Sequence, residues 1–319
     1  MSMSDPVNPL DRRGTSENRY DVSVILPCYN ERDHLVAEID RIRAALDASD
    51  YTYEIIAVDD CSTDGSNEVL RQVPDIRLIT LPRNGGSGTA RRIGSRAARG
   101  EVIVWTDADM TYPNDQIPQI VKELRGYDQI VGARTSEQGT IKALRVPAKW
   151  SIRKLACYLA QTDIPDLNSG LRAFRRDVAD QYLHLLPAGF SCVTTMTMTF
   201  LNNGYSVKYV DIPYAKRAGK SKFHPIKDTR RYMLQVVRMV LSYEPLRVFM
   251  PLGLALGAIG MVKLVYDIIF SDVKVAGNTL LILFAAFQVI AIGLLADLMV
   301  RLSKPSREVP SASSLDYER

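Results

Sequence analysis

A mostly parallel α/β domain followed by a membrane-crossing helical hairpin is the architecture this sequence predicts. Three observations carry it. Short β-rich apolar runs alternate with helical stretches between Asp21 and Arg134, acidic and glycine-rich clusters fall directly after those runs, and two long apolar segments occupy the C-terminal third. Buried runs alternating with helices favour parallel strands covered on both faces, with ligands gathered at the strands' carboxyl ends.

The first twenty residues, MSMSDPVNPLDRRGTSENRY, are polar without an apolar core, so a disordered tail is expected there and no cleavable signal. Strands are expected at Val22–Leu26, Tyr53–Val58, Ile76–Leu81, Val102–Trp105 and Gln129–Gly132, with helical spacing between them, as in His34–Leu46. The α/β domain is expected over 21–222, a juxtamembrane amphipathic helix over 223–247, the hairpin over 248–303 and a second disordered tail over 304–319.

Val248–Phe270 and Thr279–Val300 are each long enough to cross a ~30 Å hydrocarbon core at about 1.5 Å per residue. Only SDVKVAGN separates them, so both ends belong on one side. Arg247 before the pair and Arg301, Lys304 and Arg307 after it place those ends, the large domain and both termini in the cytoplasm. Lys263 and Asp267 stand one turn apart, where they can pair or snorkel, and Gly253 and Gly257 have the GxxxG spacing that permits close helix contact. Cations alternate with apolar residues in Ile141–Ala160 and Phe223–Arg247, a pattern suited to helices lying in the headgroup layer.

Composition agrees with this organisation. The chain has 319 residues, 46% hydrophobic and 24% charged, with a net charge of +4, which supports a sizeable core and excludes a disordered, collagenous or small disulfide-stapled class. Cys28, Cys61, Cys157 and Cys192 lie far apart and form no CxxC pair, which argues against zinc and for a reducing compartment.

Asp107-Ala108-Asp109 follows the apolar strand Val102–Trp105 directly. Two carboxylates so spaced at a strand end can share one divalent ion with a diphosphate, and oxygen ligands suit Mg²⁺ or Mn²⁺. A second acidic cluster, Asp59-Asp60-Cys61-Ser62-Thr63-Asp64, follows the strand ending at Val58. Asp59 and Asp60 are assigned to nucleotide binding and Asp64 to capping the next helix. The loop Arg83–Ala90 (RNGGSGTA) lacks the GK[ST] of a P-loop, and Arg91 stands where a GxGxxG fingerprint needs glycine, so a plain NTPase and a dinucleotide oxidoreductase are disfavoured.

Val24–Glu31 (VILPCYNE), Val58–Asp64 (VDDCSTD), Arg83–Ala90 and Thr106–Asp109 (TDAD) together resemble glycosyltransferase family 2 with the GT-A fold, a Rossmann-like, mostly parallel sheet. Asp166–Arg172 (DLNSGLR) and Lys216–Lys222 (KRAGKSK) are similar to the subfamily that glycosylates polyprenyl phosphates, including dolichyl-phosphate mannose synthase, and the two membrane helices match its bacterial members. The resemblance implies inverting transfer of a hexose from a nucleotide sugar, UDP-hexose favoured and GDP-mannose the alternative, to undecaprenyl or dolichyl phosphate. It implies a homo-oligomer, a tetramer among the options, and no nucleic-acid partner.

Carried over by position, the resemblance places Pro27, Tyr29, Glu31, Asp59, Asp60 and Ala108 around the nucleotide sugar and Asp107 and Asp109 on the metal. Arg134, Arg145 and Lys149, with Arg153 in support, would face the acceptor phosphate. Asp166, Ser169, Gly170 and Arg172 would line the sugar and reacting centre, Ser169 and Arg172 within reach of that phosphate. Lys222 would neutralise the leaving diphosphate, aided by Lys216 or Arg217. Three positions depart from the family pattern: Thr111 replaces a frequent glutamine, Lys216 the arginine of RxxGxSK, and Lys220 its glutamate.

A lipid phosphate whose second pKa is about 6 is already an anion at neutral pH, so it needs orienting cations more than a general base. His34 and His184 therefore read as surface residues, and His224, which follows SKF, could touch a phosphate. A processive polysaccharide synthase is disfavoured by the absence of QxxRW and of further membrane helices, and a non-catalytic scaffold by the intact DxD and SK pairs.

Overall fold

A computed structural model of the chain describes residues 20–135, 162–189, 191–215, 245–270 and 275–303. These residues form two compact units. The first holds strands β1 (Val22–Cys28), β2 (Tyr53–Asp59), β3 (Arg77–Thr80), β4 (Val102–Trp105), β5 (Gln129–Arg134), β6 (Arg172–Arg175) and β7 (Val207–Ile212). Its helices are α1 (Leu35–Asp47), α2 (Ser66–Gln72), α3 (Ser87–Ala97), α4 (Ile117–Lys122), α5 (Arg176–Asp180) and α6 (Cys192–Asn202). The second unit holds α7 (Leu246–Phe270) and α8 (Gly277–Ser303).

The strands form one sheet in the order β3-β2-β1-β4-β6-β5-β7. All neighbours pair in parallel except β6, which runs antiparallel to both β4 and β5. Alternation along the central strands sorts the core into two layers. Val22, Val24 and Leu26 of β1 and Val102 and Val104 of β4 pack with Leu35, Ile39, Ile42 and Leu46 of α1 and Ile117 and Ile120 of α4. Ile25, Ile103 and Trp105 face the other way, onto Ala90 of α3, Val178 of α5 and Met196 and Phe200 of α6. Each such aliphatic or aromatic side chain contributes roughly 1.5–3 kcal/mol on burial, so the sheet is held from both sides as a parallel sheet requires. The five expected strands are present, with ends within two residues of expectation; β6 and β7 are additions.

α7 and α8 turn most of their apolar surface outward: Val262, Leu281 and Phe287 are each about two-thirds exposed or more. A core helix of a soluble protein buries such residues; a helix in contact with lipid need not. The helices pack closely where a side chain is missing. A Cβ on Gly253 would lie 2.4 Å from Ile290, and one on Gly293 would lie 2.5 Å from Phe249. Gly257 of the GxxxG pair makes only ordinary contact with Ala286, at 3.8 Å. Near the hairpin's turn Lys263 Nζ reaches Asp267 Oδ1 at 3.2 Å and Thr279 Oγ1 at 2.9 Å, and the Ala276 amide donates to Asp267 Oδ2 at 3.1 Å. This satisfies the expected Lys263–Asp267 pair locally. Both expected tails except Tyr20, Ile141–Ala160 and nearly all of Phe223–Arg247 lie outside the described residues.

Candidate active site

The carboxyl edge of the sheet gathers the acidic motifs because of register. Cys28 lies beside Asp59 in the β1–β2 ladder, and the Asp60 amide donates to the Cys28 carbonyl at 2.8 Å. Asn30, at φ 54°, then ties the two strand-end loops together: its Oδ1 accepts the Thr63 amide at 2.8 Å and its own amide donates to Ser62 Oγ at 3.0 Å. The Glu31 amide donates to Ser66 Oγ at 3.1 Å. Pro27 lies opposite Val58 in the ladder, Tyr29 and Glu31 follow at the same edge, and the Asp59 carboxylate accepts from Asn67 Nδ2 at 2.9 Å and the Ser62 amide at 3.2 Å.

Asp60, expected at the nucleotide, also has a structural task. Its two carboxyl oxygens accept the Gly85 and Gly86 amides at 2.6 and 2.8 Å, so it holds the glycine-rich loop in place. Burial pushes its carboxyl above the usual range against those two amides. Asp64 accepts the Ser66 amide and hydroxyl at the start of α2, at 2.9 and 2.6 Å, the structural part expected of it.

Asp107 and Asp109 follow β4 on a sharp turn that puts Met110 at φ 60°. The Ala108 side chain is buried in the apolar layer under α1, so its expected nucleotide contact is open only to its backbone. Asp109 is nearly buried and accepts the Thr111 hydroxyl and, at 3.3 Å, the Thr111 amide. Asp107 is one-third exposed and forms an ion pair with Arg91 of α3, whose side chain is 2% exposed. Burial works against the Arg91 charge, and the Asp107 carboxylate restores it, leaving the guanidinium above its ordinary value. The same group lies 3.8 Å from Cys192 Sγ and 5.7 Å from the Trp105 ring centroid.

The antiparallel strand completes the site. Arg172 at the start of β6 pairs with Trp105 at the end of β4, so the chain entering β6 passes the DxD turn. This brings Asp166 to Arg134 at the end of β5: Arg134 Nε and Nη2 donate to Asp166 Oδ2 and Oδ1 at 2.6 and 2.9 Å. The Asn168 amide adds a bond to Asp166 Oδ1 at 2.9 Å. Burial alone would raise the Asp166 carboxyl, but Arg134 and these amides hold it below the ordinary carboxylate value. Arg134 also stacks 5.2 Å from the Tyr214 ring centroid. Gly170 donates its amide to Tyr112 Oη at 2.7 Å. Burial, with Asp107 nearby, pushes the Tyr112 phenol well up, so it stays neutral and accepts that bond.

Ser169 and Arg172 are corrected by this geometry. Both are fully buried. Arg172 Nη1 donates to the Val193 carbonyl at 2.6 Å and to Thr197 Oγ1 at 2.9 Å, and Nη2 to the Ser169 carbonyl at 2.5 Å. With no carboxylate among these partners, burial pushes its guanidinium down to about 10. Arg172 locks the 169–171 turn to α6 and is shut off from an acceptor phosphate. His34 stands at the start of α1 and His184 is exposed, as expected of surface residues. Arg145, Lys149, Arg153, Lys216, Arg217, Lys222 and His224 lie outside the described residues.

Arg91, Tyr112 and Tyr214 belong to the site and were not singled out for it from sequence. The available signal for Arg91 was its setting on a helix of small residues, with Gly88, Ala90, Gly94 and Ser95 buried around it. As for a metal, no cluster of three or more His, Cys, Asp or Glu side chains forms among the described residues. Asp107 and Asp109 supply two hard oxygen donors on one turn, and Asp107 Oδ2 faces the space left by the missing side chain of Gly170. Such a pair fits an ion that takes its other ligands from a diphosphate and water.

A profile of glycosyl transferase family 2 matches residues 23–183, and one of the GtrB C-terminal hairpin matches residues 244–302. The undecaprenyl-phosphate 4-deoxy-4-formamido-L-arabinose transferase of Photorhabdus laumondii is 29% identical over 308 residues, covering 91% of each chain. The protein of the same name from Pseudomonas fluorescens is 29% identical over 311 residues, covering 91% of this chain and 87% of the relative. Among solved structures, glucosyl-3-phosphoglycerate synthase from Mycobacterium tuberculosis with Mn²⁺, UDP and phosphoglyceric acid aligns at a TM-score of 0.56 and 21% identity, covering 69% of this chain and 78% of that one. The same synthase with Mg²⁺ and UDP aligns at 0.55 and 19% identity, over 69% and 79% of the two chains. These structural likenesses establish a GT-A-like fold.

Proposed function

The chain belongs to glycosyl transferase family 2, and we propose that it transfers one sugar, with inversion, from a nucleotide sugar to a polyprenyl phosphate at the cytoplasmic face of a membrane. The observation that carries the reading is one sheet edge holding both the DxD carboxylates and the Arg134–Asp166 pair, in a chain that ends in two long apolar helices.

Asp107 and Asp109 would hold Mg²⁺ or Mn²⁺, which when bound supplies positive charge to the leaving diphosphate. Arg91 fixes Asp107 in orientation before any ligand arrives. Pro27, Tyr29, Glu31 and Asp59 form the nucleotide side of the site. Arg134, held by two hydrogen bonds to Asp166, is presented to the acceptor phosphate as a preset cation. Asp166 is a poor base, because its partners hold its proton affinity down. That suits a nucleophile that arrives already charged. Arg145 and Lys149 add cations for the acceptor, and Lys222, with Lys216 or Arg217, for the diphosphate.

UDP-hexose is the favoured donor and GDP-mannose the alternative; the names of the curated relatives add a formamido-arabinose to the set worth testing. Both termini face the cytoplasm on the strength of the basic flanks, and the chain acts as a homo-oligomer. The test is incubation of membranes carrying the chain with a panel of radiolabelled UDP- and GDP-sugars and undecaprenyl phosphate, followed by lipid extraction. Label should enter the organic phase from one donor and only with added lipid phosphate. Label in a water-soluble polymer would mean a processive synthase instead.

A further inference from the structure

On α1 the core-facing positions are Leu35, Glu38, Ile39, Ile42 and Leu46. Four are aliphatic, and the fifth is a carboxylic acid with no exposure to solvent. A buried carboxyl is costly unless its hydrogen bonds are met, so an aliphatic side chain would serve packing better at that position. Glu38 Oε1 accepts from Asn114 Nδ2 at 2.6 Å, with Arg41 Nη1 4.0 Å away and the Met110 backbone bonded to the same carboxyl. Asn114 is likewise fully buried, and its Oδ1 accepts from Thr106 Oγ1 at 2.5 Å.

Thr106 directly precedes Asp107, and Asn114 lies beyond the turn that carries Asp107 and Asp109. The Thr106–Asn114 bond therefore closes the neck of the loop, and Glu38 anchors that neck to α1. One turn along the same helix, Arg41 donates to the Tyr112 carbonyl at 3.1 Å and pairs with Asp115. The loop so held contains the left-handed Met110 and, through Tyr112 Oη, meets the Gly170 amide.

We propose that Glu38, acting through Asn114 and Thr106, is a positioning residue that presets the Asp107–Asp109 turn for a divalent cation and a diphosphate. The inference rests on the metal reading of those two aspartates. Neither Glu38 nor Asn114 touches the ligand; they fix the path of the backbone from which both carboxylates hang. Displacing reacting groups by about 1 Å can cost a hundredfold in rate, which gives a buried clasp at this place its use.

The test is calorimetric titration of the purified full chain in detergent with UDP, at a series of Mn²⁺ concentrations. Glu38→Leu removes the acceptor for Asn114, Glu38→Gln keeps an oxygen there, and Thr106→Val cuts the far end of the chain of bonds without changing shape. Glu38→Leu and Thr106→Val should each require at least tenfold more Mn²⁺ for half-maximal enhancement of UDP binding. Their binding without metal should match wild type, and Glu38→Gln, which keeps an oxygen facing Asn114 and loses only the charge toward Arg41, should stay within about threefold. A folded Glu38→Leu or Thr106→Val protein with wild-type Mn²⁺ dependence overturns the inference alone; if Glu38→Leu does not fold, Thr106→Val decides. Wild-type UDP binding that ignores Mn²⁺ altogether overturns the metal reading, and this inference with it.

Discussion

A Cβ on Gly170 would lie 2.7 Å from Asp107 Oδ2 and 3.2 Å from Arg91 Nη2. The loop before β6 thus passes so close to the Asp107 carboxylate that an added methyl would displace that side chain, and its amide is fixed there by Tyr112.

Gly170→Ala should force Asp107 and Arg91 to move. Overpacking of this kind costs about 1–3 kcal/mol in stability. Transfer activity should fall further than that, by roughly 10²-fold, because it depends on where the carboxylate points. Thermal unfolding in detergent and the transfer rate, measured on one preparation, check the pair of values. Wild-type turnover in the alanine variant would show that Asp107 is not placed by Gly170.

Arg91→Lys keeps a positive charge in the buried site but loses the planar guanidinium that reaches Asp107 beside the Trp105 ring. Lysine does not reproduce that geometry. The expected result is a loss of about 1–3 kcal/mol in folding stability, as for a weakened buried pair, with kcat/KM at least tenfold lower. Unfolding and initial-rate measurements read both effects. An unchanged kcat/KM would reduce Arg91 to a packing role.

Asp166 has a folded-state pKa below its unfolded value, so its pairing with Arg134 stabilises the fold above the unfolded pKa of about 3.9 and is lost as pH falls through the lowered folded value. Asp166→Asn should therefore cost about 2–4 kcal/mol at pH near 7, where it strands a mostly buried Arg134. The gap should shrink progressively below pH ~4. Denaturant unfolding of both proteins at neutral and acidic pH tests the sign. An equal gap at both would mean the carboxylate charge contributes nothing.

In the hairpin, Lys263 and Asp267 are coupled to each other and to Thr279. A double-mutant cycle of Lys263→Ala and Asp267→Ala, read by thermal unfolding in detergent, should return a coupling energy of about 0.5–2 kcal/mol. Additive single effects would mean that the two side chains act independently.

Much of this was legible in the sequence because local pattern decided it. Val102–Trp105 is apolar throughout and lies inside the sheet, so its ends and the carboxylates beyond it were readable from composition. β6 was not, because Arg172-Ala-Phe-Arg175 begins and ends in arginine and owes its place to pairing with β4 and β5. Missing that strand also hid the reason Asp166 and Gly170 reach the DxD turn, and it left Arg172 looking like an exposed cation when the strand in fact turns it into α6. Asp59 and Asp60 are chemically identical neighbours; only the backbone path decides which of them faces the glycine loop. Arg91 was read as a break in a fingerprint, since the burial of one arginine depends on residues a hundred positions away, such as Cys192. β7 was passed over because it is a half-buried edge strand without a fully apolar run.

The proposed reaction transfers a single sugar onto a lipid phosphate at a site organised around Asp107 and Asp109. The most direct measurement is mass spectrometry of the lipid product from wild-type and Asp109→Ala membranes, each given the preferred nucleotide sugar and undecaprenyl phosphate with and without EDTA. Wild type should yield one species heavier than the lipid phosphate by one sugar residue, abolished by EDTA, and Asp109→Ala should yield at least 10²-fold less, as expected when charge stabilisation of the leaving group is lost. A ladder of multiply glycosylated products, or full product formation in EDTA or by Asp109→Ala, would rule out metal-dependent transfer of one sugar at this site.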